Sequence, residues 1–80
     1  MTTAAPPVVL DVRGLQCPLP ILRTKKALNT MAPGTLLEVQ ATDPGAVADF
    51  RSFCSQTGHT LEHQSEEGGV YLFHIRRATA

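Results

Sequence analysis

Eighty residues make one domain at most, and a domain this short leaves little interior for a deep, closed active site. A hydrophobic fraction of 42% beside 18% charged residues excludes general disorder. Seven basic against seven acidic residues argue against direct nucleic-acid binding, which depends on neutralising phosphates. No basic segment followed by an apolar run opens the chain, and no apolar run approaches the roughly 20 residues that span a bilayer. The chain is therefore expected to work in the cytoplasm, away from membranes, where thiols stay reduced. Two cysteines, Cys17 and Cys54, are too few for a disulfide framework and too far apart for a CxxC pair. The zero net charge hides a polarity. Arg13, Arg23, Lys25 and Lys26 surround Cys17 in the sequence, with Asp11 the only nearby acid.

In chain order, 1–7 reads as a flexible N-terminal tail and 8–77 as a single folded domain. Val8 to Val12 is a β-branched-rich strand that enters a turn at Arg13-Gly14. After Cys17-Pro18-Leu19-Pro20 a helix runs to about Met31 and stops at Pro33-Gly34. Its core-facing stripe is Ile21, Thr24, Ala27, Leu28 and Met31, with Arg23, Lys26 and Thr30 opposite. Thr35 to Ala41 alternates as a second strand. Asp43-Pro44 then predicts an N-cap followed by proline at the first helical position. That second helix should end at Gly58, burying Ala46, Val47, Phe50, Phe53 and Cys54 while Asp49, Ser52 and Gln56 face out. Two strands, roughly His59 to Ser65 and Val70 to Arg76, flank a Glu67-Gly68-Gly69 hairpin turn. The order βαβαββ in so short a chain predicts an α/β two-layer sandwich, a four-stranded mixed sheet carrying two helices.

The segment that can carry chemistry is Cys17-Pro18-Leu19-Pro20. Prolines in a first helical turn cost no intrahelical bond and bring the right φ. They place Cys17 at or just before the N-cap, where the helix dipole and unpaired N–H groups favour a thiolate. Arg13, Arg23 and Lys26 are read as residues that tune the thiol or dock a partner, with Pro18 and Pro20 setting its position. No adjacent histidine dyad accompanies Cys17, so exchange and carrier chemistry suits it better than hydrolysis.

The segment Leu10-Asp11-Val12-Arg13-Gly14-Leu15-Gln16-Cys17-Pro18-Leu19-Pro20 resembles the signature of the TusA/SirA family of sulfur carriers, whose hallmark is Cys-Pro-x-Pro. The resemblance extends from about Val8 to Arg76, through Pro33-Gly34, Asp43-Pro44 and Phe53-Cys54. It implies a βαβαββ sandwich like the C-terminal domain of translation initiation factor 3. It implies that Cys17 takes sulfane sulfur as a persulfide from a cysteine desulfurase or a rhodanese. Delivery would be to a DsrE-like or other sulfurtransferase acceptor, in tRNA thiolation, molybdenum cofactor assembly or sulfur oxidation. Such a protein is a reactant rather than a multiple-turnover enzyme, and it needs no cofactor and no metal.

Cys54 shares a helix face with Val47 and Phe50 and reads as a core thiol. His59 and His63 have a metal-like spacing on a helix, but in a strand they stand roughly 13 Å apart along the chain, so no metal is expected. A thiol oxidoreductase would require Cys54 as resolving cysteine; a regulatory or nucleic-acid-binding module would rest on fold analogy alone.

Overall fold

The computed structural model describes residues 7–79. The expected tail at 1–7 lies outside the described residues except for Pro7. The six elements follow the predicted order: β1 (Val8–Val12), α1 (Leu19–Thr30), β2 (Leu36–Ala41), α2 (Ala46–Thr57), β3 (Thr60–Glu67) and β4 (Val70–Arg76). One four-stranded sheet is ordered β1-β2-β4-β3. β1 and β2 are parallel, so the chain must cross over between them, and α1 is that crossover. β4 runs antiparallel to both β2 and β3. Gly68 and Gly69, with φ +58° and +81°, close the β3–β4 hairpin as a two-residue turn that needs positive φ at both positions.

Alternation decides which face is covered. Leu10, Val12, Leu37, Val39, Ala41, Phe73 and Ile75 align across the three strands and point one way. Leu28 of α1 and Ala46, Phe50, Phe53 and Cys54 of α2 pack onto that face, making one hydrophobic core. Phe50 stacks on Phe73 with ring centroids 4.5 Å apart, which seats α2 over the centre of the sheet. Among the described residues the other face carries no helix, and paired polar groups occupy much of it. His74 Nε2 and Glu38 Oε1 are 3.1 Å apart, and Arg76 donates to both Glu62 oxygens at 2.7 and 2.9 Å.

Several boundaries differ from the sequence reading, beginning with β2, which starts at Leu36 rather than Thr35. Asp43 is not the N-cap of the second helix. Its carbonyl accepts the Ala46 N–H at 3.0 Å, making a separate turn, and Gly45 occupies the cap with no side-chain hydrogen bond. β3 begins at Thr60 rather than His59 and runs to Glu67, with a register shift between Leu61 and His63. Gly58, at φ +83°, does end α2, its N–H bonded to the Cys54 carbonyl at 3.0 Å. The chain after β4 ties down α1: Arg77 Nε donates to the Leu28 carbonyl at 2.7 Å, one of the acceptors a helix C-terminus leaves open.

Thr24 is fully buried under α1, and its hydroxyl is the one buried side-chain polar atom without a hydrogen-bond partner among the described residues. Thr24→Val keeps the branched shape and removes the unsatisfied group, so the fold should gain about 1 kcal/mol. A urea-unfolding midpoint that fails to rise would show the hydroxyl is satisfied in solution.

Candidate functional site

Parallel pairing places the carboxyl ends of β1 and β2 side by side, with Val12 opposite Ala41. Both helices therefore start from the same edge of the sheet. Leaving β1, the chain turns at Val12–Leu15, where the Leu15 N–H reaches the Val12 carbonyl at 3.2 Å. Gly14 holds the third position of that turn at φ +81°, a conformation that suits glycine. The Gly14 N–H also donates to Thr42 Oγ1 at 2.9 Å, lashing the loop before α1 to the loop before α2. Cys17, an exposed free thiol, stands on the first of these loops.

The start of α1 offers the sulfur few donors. Pro18 is the N-cap and Pro20 the second helical residue, so neither position has an N–H. The Leu19 N–H is taken by the Gln16 carbonyl at 2.9 Å, and no side chain caps the helix. Of the first-turn N–H groups that carry the positive end of a helix dipole, only that of Ile21 remains.

Cys17 opens onto a shallow groove of about 230 Å³ between α1 and α2, lined by Pro18, Ile21, Asp49, Ser52, Phe53 and Gln56. Of the three residues expected to face out, Ser52 and Gln56 are exposed on this groove. Asp49 instead stands half-buried beside the thiol. Hydrogen bonding to the Asp49 carboxylate raises the Cys17 pKa, and lost solvation and the charges of Asp49 and Asp43 push it the same way. None of the basic residues expected to tune the thiol lines its groove. The charges that act on Cys17 are those of Asp49 and Asp43, and they push its pKa up.

The basic residues lie elsewhere. Arg13 is held by Asp11, its Nε and Nη2 each 2.9 Å from a carboxylate oxygen. Arg23 and Lys26 line a different depression with Leu10, Ala27 and Thr30, on the β1 side of α1. Cys54 is buried and free, and burial pushes its thiol up. The histidines serve the scaffold. His59 Nδ1 accepts the Ala78 N–H at 2.9 Å, and the His63 and His74 rings meet across β3 and β4 with centroids 5.5 Å apart. Among the described residues no cluster of three metal-binding side chains occurs.

Removing the carboxylate that disfavours the thiolate must lower the thiol pKa, so Asp49→Asn should speed alkylation of Cys17 by iodoacetamide at neutral pH. The rate–pH profile should move to lower pH, and an unmoved profile would refute the role given to Asp49. Separately, the Arg13 side chain and N–H hold the Asp11 carboxyl down from 3.8 to about 2. A depressed carboxyl stabilises the fold above its unfolded pKa, and that contribution disappears as pH falls through the folded value. In Arg13→Ala the Asp11 carboxyl should titrate closer to 3.8, as followed by its side-chain carbon resonance; a value still near 2 would mean the backbone N–H suffices.

Residues 8–77 match the family model described as sulfurtransferase TusA. The chain is 55% identical over 69 residues to the sulfur carrier protein TusA of Allochromatium vinosum, covering 86% of this chain and 91% of that one. It is 61% identical over 67 residues to a putative sulfur carrier protein of Neisseria meningitidis, covering 84% and 90%. The SirA-like protein of Desulfitobacterium hafniense shares the fold, with a TM-score of 0.76 over 89% of this chain and 97% of that one, at 24% identity. With a family match that spans all six elements and the Cys17 loop, the chain belongs to the TusA family.

Proposed function

We propose that this protein is a sulfur carrier in which Cys17 takes up sulfane sulfur as a persulfide and passes it on. The observation that carries the reading is the exposed, unpaired Cys17 thiol at the mouth of a groove too shallow to enclose a substrate. A thiol so placed is reached by another protein's sulfur rather than by a small molecule sealed from water. In loading, the Cys17 thiolate attacks the outer sulfur of a donor persulfide. A new S–S bond forms on Cys17, the donor's S–S bond breaks, and the donor cysteine leaves as a thiolate that takes up the proton Cys17 gave up. No electrons are gained or lost overall. Unloading repeats the step with Cys17 as the leaving group.

Ser52 and Gln56, at successive turns of α2 along the groove, supply a hydroxyl and an amide that can donate to the added sulfur. Pro18 and Pro20 fix the entry to α1 and so the direction in which the thiol points. Arg23 and Lys26 form a second surface, available to a partner with an acidic face. A cysteine desulfurase or a rhodanese fits the donor's role and a DsrE-like or other sulfurtransferase the acceptor's. tRNA thiolation, molybdenum cofactor assembly and sulfur oxidation are the pathways such a relay serves. The reading places the folded unit at 8–77 in the cytoplasm. No helix among the described residues is long and apolar enough to cross a membrane.

The test is intact-mass measurement without reductant after incubation with a cysteine desulfurase, its pyridoxal cofactor and cysteine, or with a persulfide-loaded rhodanese. The protein should gain one or more sulfur atoms that reductant removes. Cys17→Ser should gain none, and Cys54→Ser should load like the parent. Loss of loading in Cys54→Ser would favour a dithiol oxidoreductase instead, and no gain from either donor would defeat the carrier reading.

A further inference from the structure

The two edges of the sheet are finished differently. The strand order β1-β2-β4-β3 makes β1 and β3 the edges, and an edge strand presents a row of unpaired backbone N–H and C=O groups. β3 is guarded. A register shift between Leu61 and His63 interrupts it, and Glu62, Glu66 and Glu67 stand exposed along it, both of which discourage a further strand. β1 has neither device. Its pairing with β2 runs unbroken from Val8 to Val12, and its sole charge, Asp11, is taken up by Arg13. Apart from that pairing, no backbone hydrogen bond reaches Val8, Val9 or Leu10 among the described residues. Val8 and Val9 point to opposite faces of the sheet and are 47% and 57% exposed, so this edge is apolar on both sides.

Beside the β1 edge, on the face that carries the helices, lies a depression of about 590 Å³ lined by Leu10, Arg23, Lys26, Ala27 and Thr30. It shares no residue with the groove at Cys17. Spacings of three and four put its α1 residues on one flank of that helix, and Arg23 and Lys26 form no ion pair among the described residues. The other charges nearby do not offset them. Asp11 and Arg13 satisfy each other. Glu38, opposite Val9 on the uncovered face, is engaged by His74. Lys25 stands one turn beyond Ile21, on the flank toward α2. The edge is therefore apolar along the strand and cationic along the helix above it.

We propose that the free edge of β1 takes up an extended segment of a partner protein, with acidic and apolar residues in alternation, as a fifth strand of the sheet. Its backbone pairs with β1. Its apolar side chains continue the row that Val9 begins on the uncovered face, and its carboxylates, on the helix face, lie against Arg23 and Lys26. Charge selects this occupant over a second copy of the chain. Two β1 strands paired antiparallel about a two-fold axis would set one α1 beside the other on the same face. Arg23 and Lys26 would then meet their own counterparts, and like charges repel. The inference extends the second surface assigned to Arg23 and Lys26 and is independent of what Cys17 carries.

The test is an NMR titration of the isotope-labelled full chain with short acetylated peptides. In one, glutamate alternates with valine; in the other, lysine replaces glutamate. The glutamate peptide should shift the amides of Val8 to Val12 and slow hydrogen exchange of those that face away from β2. At low salt it should bind about tenfold more tightly than the lysine peptide, and the difference should shrink as salt is raised. Methylating the peptide's backbone nitrogens removes strand pairing and keeps the charges, so binding should then fall at least about tenfold. Arg23→Glu/Lys26→Glu should reverse the preference between the two peptides. Cys17→Ser should bind the glutamate peptide as the parent does while taking up no sulfur, which separates this surface from the carrier reading. No shift at β1, equal binding of the two peptides, or undiminished binding of the methylated one would overturn the proposal. So would β1 amides that gain protection as the protein alone is concentrated, since a second copy would then occupy the edge. None of these outcomes needs a variant, so a misfolded double mutant does not blunt the test.

Discussion

The parallel pairing of β1 with β2 is the constraint on which the site depends. Two parallel neighbours end at the same edge of a sheet, so the helices that follow them begin at the same edge. The Gly14–Thr42 hydrogen bond then holds the two βα loops together. Cys17 comes from one loop and Asp43 from the other, with Asp49 one turn into the second helix. Were these strands antiparallel, the loops would lie at opposite ends and the thiol would have no acidic neighbour. The same edge is where ligands gather in open α/β sheets generally, here around a sulfur atom on the surface.

Electrostatics at that edge oppose what the local chain suggests. The helix start is short of N–H donors because two of its residues are prolines and the donor between them is already bonded. The Asp49 carboxylate beside the sulfur, with the charge of Asp43 adding to it, acts as a full charge against the partial charges of the helix start. The Asp49 carboxylate pushes the Cys17 pKa up and so disfavours the thiolate, the reacting form.

The rest of the molecule stabilises this edge at modest cost in chain length. One face of the sheet takes both helices and the whole apolar core; the other is finished by ion pairs and hydrogen bonds among Glu38, Gln40, His74, Arg76 and Glu62. A second helical layer is unnecessary because antiparallel strands tolerate one solvated face. Phe50 on Phe73 and Arg77 on the end of α1 fix the two helices to the sheet at separate points.

Much of this was legible in the residues themselves. The alternation of Leu37, Val39 and Ala41, the spacing of Thr24, Leu28, Phe50 and Cys54, and the Gly58 and Gly68-Gly69 stops are local signals with periods set by backbone geometry. They determined the element order, the buried face and the exposed Cys17 loop, and the signature around Cys17 carried the family. Local signals erred at Asp43, where a turn of the chain intervenes before the helix, and at β3, where a bulge shifts the register. The surroundings of the thiol were beyond their reach. Along the sequence Cys17 is neighboured by Arg13, Arg23 and Lys26, and Asp49 looks like one more solvent-facing helix charge. The fold binds Arg13 to Asp11, turns Arg23 and Lys26 to the far flank of α1, and brings Asp49 across 32 positions to the sulfur. Charge acts through space and not along the chain, so the exposed candidate thiol was a property of the sequence, while the charges around it were decided only when two loops met at one edge of the sheet.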